Sequence, residues 1–285
     1  KQYASALKSC SISEDQFIND HSLVLPSNVE SVLYNLARAY EDNGNVKIAS
    51  ELYYRFVQRN PNYIECILRL GYIAEQLNRP KKAENWFLLA KRIDPKNPLT
   101  SCALGNLYIN RKKYLLAQAQ FESIQAKIDQ SHKYTLLALA LIYTESAKSI
   151  TKKAKETRFL NYATQFYEKV LMNDKNNIYA AFGIGVILAM KGYFQQANEI
   201  FLKVREKAPN IAPLWTNLGL LDFCKHDYPK ATKMFESCLA KFYPEGNEYL
   251  HHLVSLAFYE SSKANHLKMN QCVDSLQKSL HLNPT

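Results

Sequence analysis

The chain has 285 residues, of which 47% are hydrophobic and 22% charged, and its formal net charge is +10. This balance is typical of a folded, soluble protein and excludes a disordered or collagen-like chain. Only 8 Gly and 10 Pro are present, which favours long helices over sheets. The sequence contains no run of about 20 apolar residues, so no membrane span is predicted.

The first predicted element lies at the start of the chain. Tyr3, Ala6 and Leu7 have the spacing of a second helix in a helical hairpin whose first helix is missing. Residues 1–10 are therefore predicted to be that second helix. Lys1 stands where a Met would begin a whole protein and Pro284 stands where a repeat ends, so we expect the chain to be an excerpt of a longer array.

After this segment, an alanine followed four residues later by an aromatic recurs along the chain. Successive alanines are 34, 34, 46, 34 and 34 residues apart. A period of 34 that is interrupted once indicates a repeat protein rather than a globular enzyme. The pairs are Ala49/Tyr53, Ala83/Phe87, Ala117/Phe121, Ala163/Tyr167, Ala197/Phe201 and Ala231/Phe235.

Each repeat is predicted to be two antiparallel helices, A and B, with the alanine at position 20 and the aromatic at position 24. Small residues recur at position 8, and four of them are glycines. A mid-helix Gly costs about 1 kcal/mol relative to Ala, so its recurrence predicts that helix B approaches helix A closely at this position. The repeats are residues 30–63, 64–97, 98–132, 133–177, 178–211, 212–245 and a degenerate 248–285.

The interruption of the period lies in the fourth repeat. Eleven extra residues stand between Tyr143 and Ala163, and one more precedes Lys133. The inserted stretch, residues 145–158, is basic and compatible with helix. We therefore expect it to lengthen the helical hairpin of this repeat.

No motif for catalysis or cofactor binding was found. Gly183 and Gly185 lack the third glycine of a dinucleotide site, and no phosphate-binding loop or metalloprotease motif is present. The six cysteines include no Cys-x-x-Cys pair, and neighbouring His251 and His252 point to different faces of a helix. The sequence thus predicts no enzyme activity, no cofactor, no metal and no small-molecule substrate.

The predicted binding surface is the inner wall of the stack, which helix A lines through positions 2, 5, 9 and 12. A contiguous apolar patch usually marks a binding site, unless the chain's own residues cover it. The predicted partner-binding groove is Tyr134, Leu137, Leu141, Tyr179, Phe182, Val186, Leu220 and Phe223. A more polar second groove is predicted at Tyr34, Arg38, Leu68 and Tyr72.

Cations gather in the turns between helices A and B of repeats two, three and four. Such a basic edge attracts phosphate or an acidic protein surface, although a merely solvated edge has the same composition. The basic edge consists of Arg79, Lys81, Lys82, Arg111, Lys112, Lys113, Lys148, Lys152, Lys153, Lys155 and Arg158.

The whole pattern resembles the tetratricopeptide repeat, with its fullest match at Trp215, Leu218 and Gly219, followed by Ala231 and Phe235. The resemblance implies an all-α fold, a right-handed superhelical solenoid of helix-turn-helix repeats. It covers nearly the whole chain, so residues 1–285 are expected to form a single solenoid.

Residues that packing does not require resemble one family in particular, the large tetratricopeptide subunit of the RNA polymerase II-associated factor (Paf) complex. They include Asn173-Asp174, Lys191 and Arg205-Glu206. The resemblance implies a non-catalytic nuclear scaffold whose partners are other Paf subunits and RNA polymerase II, supporting transcription elongation and histone modification. The alternatives are binding of nucleic acid or an acidic surface along the basic edge, or a tetratricopeptide adaptor of another multisubunit complex.

Overall fold

The computed structural model describes residues 27–127, 131–262 and 269–283. Within these residues every regular element is a helix, so the all-α prediction is confirmed. Residues 1–10, with their predicted helix, lie outside the described part. The fourteen helices are α1 (Ser27–Asp42), α2 (Val46–Arg59), α3 (Ile64–Gln76), α4 (Pro80–Ile93), α5 (Pro98–Asn110), α6 (Tyr114–Lys127), α7 (Lys133–Lys148), α8 (Lys153–Asn173), α9 (Ile178–Met190), α10 (Phe194–Lys207), α11 (Ala212–Cys224), α12 (Tyr228–Phe242), α13 (Glu248–Ser262) and α14 (Met269–Leu282).

Local chemistry explains where several helices begin. α4 and α5 start with Pro80 and Pro98, and proline suits a first turn because the N–H that it lacks would have no partner there. The Asn97 side chain accepts a hydrogen bond from the backbone N–H of Leu99, and the Asn177 side chain caps α9 in the same way. These caps satisfy amide groups that a helix leaves unpaired at its start.

One tight turn closes five of the hairpins. In these five repeats, the residue 14 positions after the start of the repeat has a left-handed backbone, whether or not it is a glycine. Glycine adopts this conformation without strain, whereas other L-residues do so at a cost. The five residues are Gly44, Asn78, Lys112, Gly192 and His226, with φ of 80°, 53°, 55°, 85° and 62°.

The described residues divide into two compact units, one up to residue 142 (unit one) and one from residue 143 onward (unit two). Each contains the same core layer, in which a position-8 glycine faces the position-24 ring of its own repeat. A Cβ added to Gly105 would lie 2.5 Å from Phe121 in unit one, and one added to Gly185 would lie 2.5 Å from Phe201 in unit two. Helices A and B therefore meet on a buried ring, which is why the glycine is tolerated inside a helix.

Of the six repeats with the alanine–aromatic pair, two place a tyrosine where the other four have phenylalanine. The Tyr53 hydroxyl donates a hydrogen bond to Glu41 Oε2 at 3.0 Å. The Tyr167 ring packs directly on Gly183 of α9, where a Cβ would collide with it. Gly183 is therefore a packing residue, and the Tyr167 ring reaches beyond the hairpin that contains it.

The insertion of the fourth repeat is helical. It forms the last residues of α7, a short connection and the first residues of α8. α8 has 21 residues, whereas the other second helices α10 and α12 of unit two have 14 and 15. The extra length precedes Ala163 and Tyr167, the residues that build the core layer.

The seventh hairpin departs from the repeat pattern. Leu276, at the position of the core aromatic, is 40% exposed, whereas Phe201 and Phe235 are fully buried. The seventh hairpin, α13 and α14, therefore lacks the alanine–aromatic layer.

Candidate protein-binding surfaces

In unit one, the predicted partner-binding groove is a stripe along α7. Tyr134 and Leu141 are 46% and 40% exposed, and Leu137 between them is half-buried. The Tyr134 hydroxyl donates a hydrogen bond to Asn106 Oδ1 at 2.7 Å, and the centre of its ring lies 6.2 Å from that of Phe121. This stripe is apolar and accessible.

In unit two, the predicted groove residues lie on α9 and α11. Tyr179 is 62% exposed, whereas Phe182 and Val186 are half-buried and pack on the core around Phe201. Leu220 and Phe223 are half-buried against the core that α12 and α13 share. These four half-buried side chains thus have one side on the core and leave part of their surface open.

The apolar surface continues onto α13, which the sequence analysis missed. Tyr249, Leu256 and Tyr259 occupy positions 2, 9 and 12 of the seventh repeat and are 54%, 37% and 45% exposed. Repeat seven lacks the alanine–aromatic pair, so the predicted groove extends only to repeat six. The spacing of apolar residues within the first helix of repeat seven was the signal that could have extended the predicted groove to α13.

Together these positions form what we call the unit-two apolar face. No Asp, Glu, Lys or Arg occurs among its twelve residues. The residues are Tyr179, Phe182, Val186, Ala189, Pro213, Thr216, Leu220, Phe223, Tyr249, His252, Leu256 and Tyr259.

The second groove, in unit one, is more closed than its sequence positions suggest. Leu68 is buried, with 6% exposure. Tyr34 is half-buried against the rings of Tyr53 and Tyr63, at 6.0 and 5.8 Å. The Arg69 guanidinium lies 5.6 Å from the Tyr72 ring centre. Arg38 remains half-buried, and its Nε has no hydrogen-bond partner within the described residues.

Beside this groove lies a buried charge pair that the sequence analysis did not identify. Glu41 is 9% exposed and accepts hydrogen bonds from both Arg69 and Tyr53. Burial lowers the pKa of Arg69, but its hydrogen bond to Glu41 and the charge of Glu41 outweigh burial and raise the pKa overall. Burial, with the charge of Glu41, raises the pKa of Tyr53. The pair joins α1 to α3, so its charges are engaged within the fold.

The basic edge falls into a separate part in each unit. In unit one, Arg79, Lys81, Lys82, Lys112 and Lys113 are exposed. Arg111 is half-buried and pairs with Glu84 at 3.7 Å. In unit two the cations surround the junction of α7 and α8, and all of them are exposed. These are Lys148, Lys152, Lys153, Lys155 and Arg158.

Reactive chemistry is sparse in the part of the chain that the structure describes. No three His, Cys, Asp or Glu side chains there are grouped to hold a metal ion. The described cysteines are unpaired thiols, and burial raises the pKa of Cys102 to about 11. A thiol with a raised pKa is a weak nucleophile. None of the described helices has the length and hydropathy needed to span a bilayer.

Known proteins share both the local pattern and the fold. A tetratricopeptide-repeat family model matches residues 34–98. The crystal structure of a tetratricopeptide repeat protein from Parabacteroides merdae superposes with a TM-score of 0.64 at 16% identity, covering 88% of this chain and 98% of that one. The fold is a tetratricopeptide-repeat solenoid. Stacked helical repeats of this kind create extended concave surfaces.

These tetratricopeptide repeats are also similar to proteins named CTR9. RNA polymerase-associated protein CTR9 of Caenorhabditis elegans is 29% identical over 246 residues, which are 85% of this chain and 21% of that protein. The CTR9 homolog of Arabidopsis thaliana is 28% identical over 272 residues, 93% of this chain and 24% of that protein. The chain thus spans about a quarter of the length of the curated relatives it matches.

Proposed function

We propose that the chain is the tetratricopeptide part of a non-catalytic nuclear scaffold, the large tetratricopeptide subunit of the Paf complex. Its partners would be other Paf subunits and RNA polymerase II, in transcription elongation and histone modification. The similarity to CTR9 over most of the chain supports this assignment, since one relative is named as RNA polymerase-associated. The observation that carries the binding role is the uncharged, accessible unit-two apolar face.

Covering the apolar face would contribute to the stability of a complex. Fully burying one Leu or Phe side chain contributes about 1.5 to 3 kcal/mol. The four Leu and Phe residues of the face, together with its three tyrosines, would help to offset the cost of ordering a bound segment when a partner covers them. Large contiguous apolar patches are uncommon on monomers and often mark interaction sites.

The chemistry of the face also defines the segment that would bind. Its twelve positions contain no formal charge, so a charged partner segment would lose hydration without gaining an opposite charge. We infer an apolar stripe, on a helix or an extended segment, with charged residues directed to solvent. The second groove, with Arg38 and Tyr72, suits a more polar ligand.

Exposed residues of the face allow a test that leaves the core unchanged. A triple variant should abolish co-purification of partner subunits, because each substitution introduces a charge into the interface. It combines Tyr179→Asp, Tyr249→Asp and Tyr259→Asp. Partner recovery with the tagged protein is measured by mass spectrometry, and helical circular dichroism checks folding. A second triple variant should also abolish co-purification, and it should lose more stability because its side chains pack on the core. It combines Phe182→Asp, Val186→Asp and Leu220→Asp.

A matched control uses exposed apolar residues outside the face. Leu115 and Met172 are 84% and 77% exposed, and changing both to Asp should leave recovery of partners unaltered. Equal recovery with the triple Tyr variant and the wild type would remove the face as a binding site. Recovery of subunits from a different assembly would instead favour a tetratricopeptide adaptor of another complex.

A further inference from the structure

The lengthened hairpin of the fourth repeat has an aromatic cluster on its surface. The Tyr143 ring of α7 is surrounded by three rings of α8, namely Phe159, Tyr162 and Phe166. The centroid distances are 5.6, 5.6 and 5.8 Å, and Phe166 is stacked on Tyr143 with an interplanar angle of 14°. All four side chains are half-buried, so the cluster leaves aromatic surface open to a ligand.

Cations lie over these rings. Lys155 Nζ is 5.8 Å from the centre of Phe159, and the Arg158 guanidinium is 5.5 Å from the centre of Tyr162. Arg158 Nε also donates a hydrogen bond to the Tyr162 hydroxyl at 3.0 Å. The lysine and arginine are exposed, so both charges remain accessible above an aromatic surface.

The cations of this hairpin are mostly unbalanced. Residues 148–158 contain five Lys or Arg and one carboxylate, Glu156. Lys148 pairs with Glu145 at 2.6 Å. Among the described residues, Lys152, Lys153, Lys155 and Arg158 have no ion-pair partner. This positive potential is therefore available to an anionic ligand.

The repeat core does not require this extension. The core layer of the fourth repeat is built by Ala163 and Tyr167, which follow it in α8. Residues 152–155 are exposed throughout. A helical extension that carries unpaired cations beside half-buried rings, yet contributes little to the core, has the properties of a binding element.

We propose that the α7–α8 hairpin binds single-stranded nucleic acid. Accessible ring surface stacks on bases of any sequence, and neighbouring Lys and Arg contact the phosphates, which is the usual construction of single-strand sites. An acidic protein segment would use the cations but not the ring faces, so the aromatic cluster favours the nucleic acid. The site lies on α7 and α8 and does not depend on the unit-two apolar face of α9, α11 and α13.

The electrostatic part is tested by fluorescence anisotropy with labelled single strands of about twenty nucleotides, RNA and DNA in parallel. Changing Lys152, Lys153, Lys155 and Arg158 to Ala should weaken binding and reduce the slope of log affinity against log salt. About 0.7 of slope is lost for each phosphate contact, so a decrease of about 2 to 3 is expected. The matched control changes Lys81, Lys82, Lys112 and Lys113 to Ala and removes the same charge from unit one.

The stacking part is tested by Phe159→Leu with Tyr162→Leu, which keeps the side chains apolar. Affinity should fall at least about five-fold while the salt slope stays the same, because stacking contributes without releasing counterions. Tyr162→Phe retains the ring and should retain affinity. Circular dichroism and thermal melting of each variant check that the hairpin remains folded.

Stronger loss of binding in the hairpin variants than in the control, with single strands preferred over duplex, supports the site. Equal losses in the two charge variants would show general attraction to a basic protein and overturn it. Binding that persists in the leucine variant, or polyglutamate binding as tightly as RNA, would also overturn it by removing the role of the rings. A preference between RNA and DNA identifies which single strand the site takes.

Discussion

At the scale of single residues, the turns between helices show that backbone geometry outweighs residue preference. Five repeats use a left-handed residue at the same place, yet only Gly44 and Gly192 are glycines. Lys112 and His226 adopt this conformation because the antiparallel pairing of the flanking helices requires it. Both residues therefore carry strain that the sequence pattern alone does not reveal.

Replacing the strained lysine should stabilise the protein. Lys112→Gly relieves the strain of the left-handed backbone, whose φ is 55°. Glycine also makes the unfolded chain more flexible, which offsets part of this gain. The expected net increase in the free energy of unfolding is about 0.5 to 1 kcal/mol. Urea denaturation followed by circular dichroism measures it. Lys113→Gly, which removes the same charge next to the strained position, should give no gain, and equal gains would contradict the strain argument.

At the scale of helices, the buried pair of Glu41 and Arg69 joins α1 to α3, the first helices of two successive repeats. The two residues are 28 positions apart, and Tyr53 of α2 donates to the same carboxylate. A buried ion pair is costly to break because one charge is then left without a partner. The first hairpin and α3 are therefore held by a polar contact in addition to their apolar layer.

The pair is tested by a double-mutant comparison. Arg69→Met should lower the free energy of unfolding by about 2 to 4 kcal/mol, since it leaves the Glu41 carboxylate buried and half-satisfied. Adding Glu41→Gln to Arg69→Met should restore part of this loss, because the charge is removed. Urea titrations of both variants and of Glu41→Gln alone provide the measurement. Strictly additive losses would show that the pair is not coupled.

At the scale of the whole molecule, buried tyrosines make stability depend on alkaline pH. Burial raises the pKa of Tyr167 to about 12, and burial with a hydrogen bond to Glu84 raises that of Tyr108 to about 12. In the unfolded chain tyrosines ionise near pH 10. Between these values the unfolded state binds fewer protons than the folded state, so stability decreases as the pH rises.

We therefore expect the free energy of unfolding to be insensitive to tyrosine ionisation below about pH 9 and to fall steadily between about pH 10 and 12. Tyr167→Phe removes one ionising group and should make this fall shallower. Urea denaturation at a series of alkaline pH values measures the slope. Tyr179→Phe is the control, because Tyr179 is 62% exposed. An equal change of slope in the two variants would contradict the burial argument.

The sequence by itself determined the repeat, its two helices and the layer in which Gly105 meets Phe121 and Gly185 meets Phe201. Those features depend on spacing within a few helical turns, and spacing is visible in a linear chain. Only the tertiary structure decided that Leu68 is buried, that the apolar face extends to Tyr259 and that Arg69 reaches Glu41. Exposure and long-range pairing depend on how each helix is rotated against its neighbours, and small differences in packing that no local pattern records set that rotation.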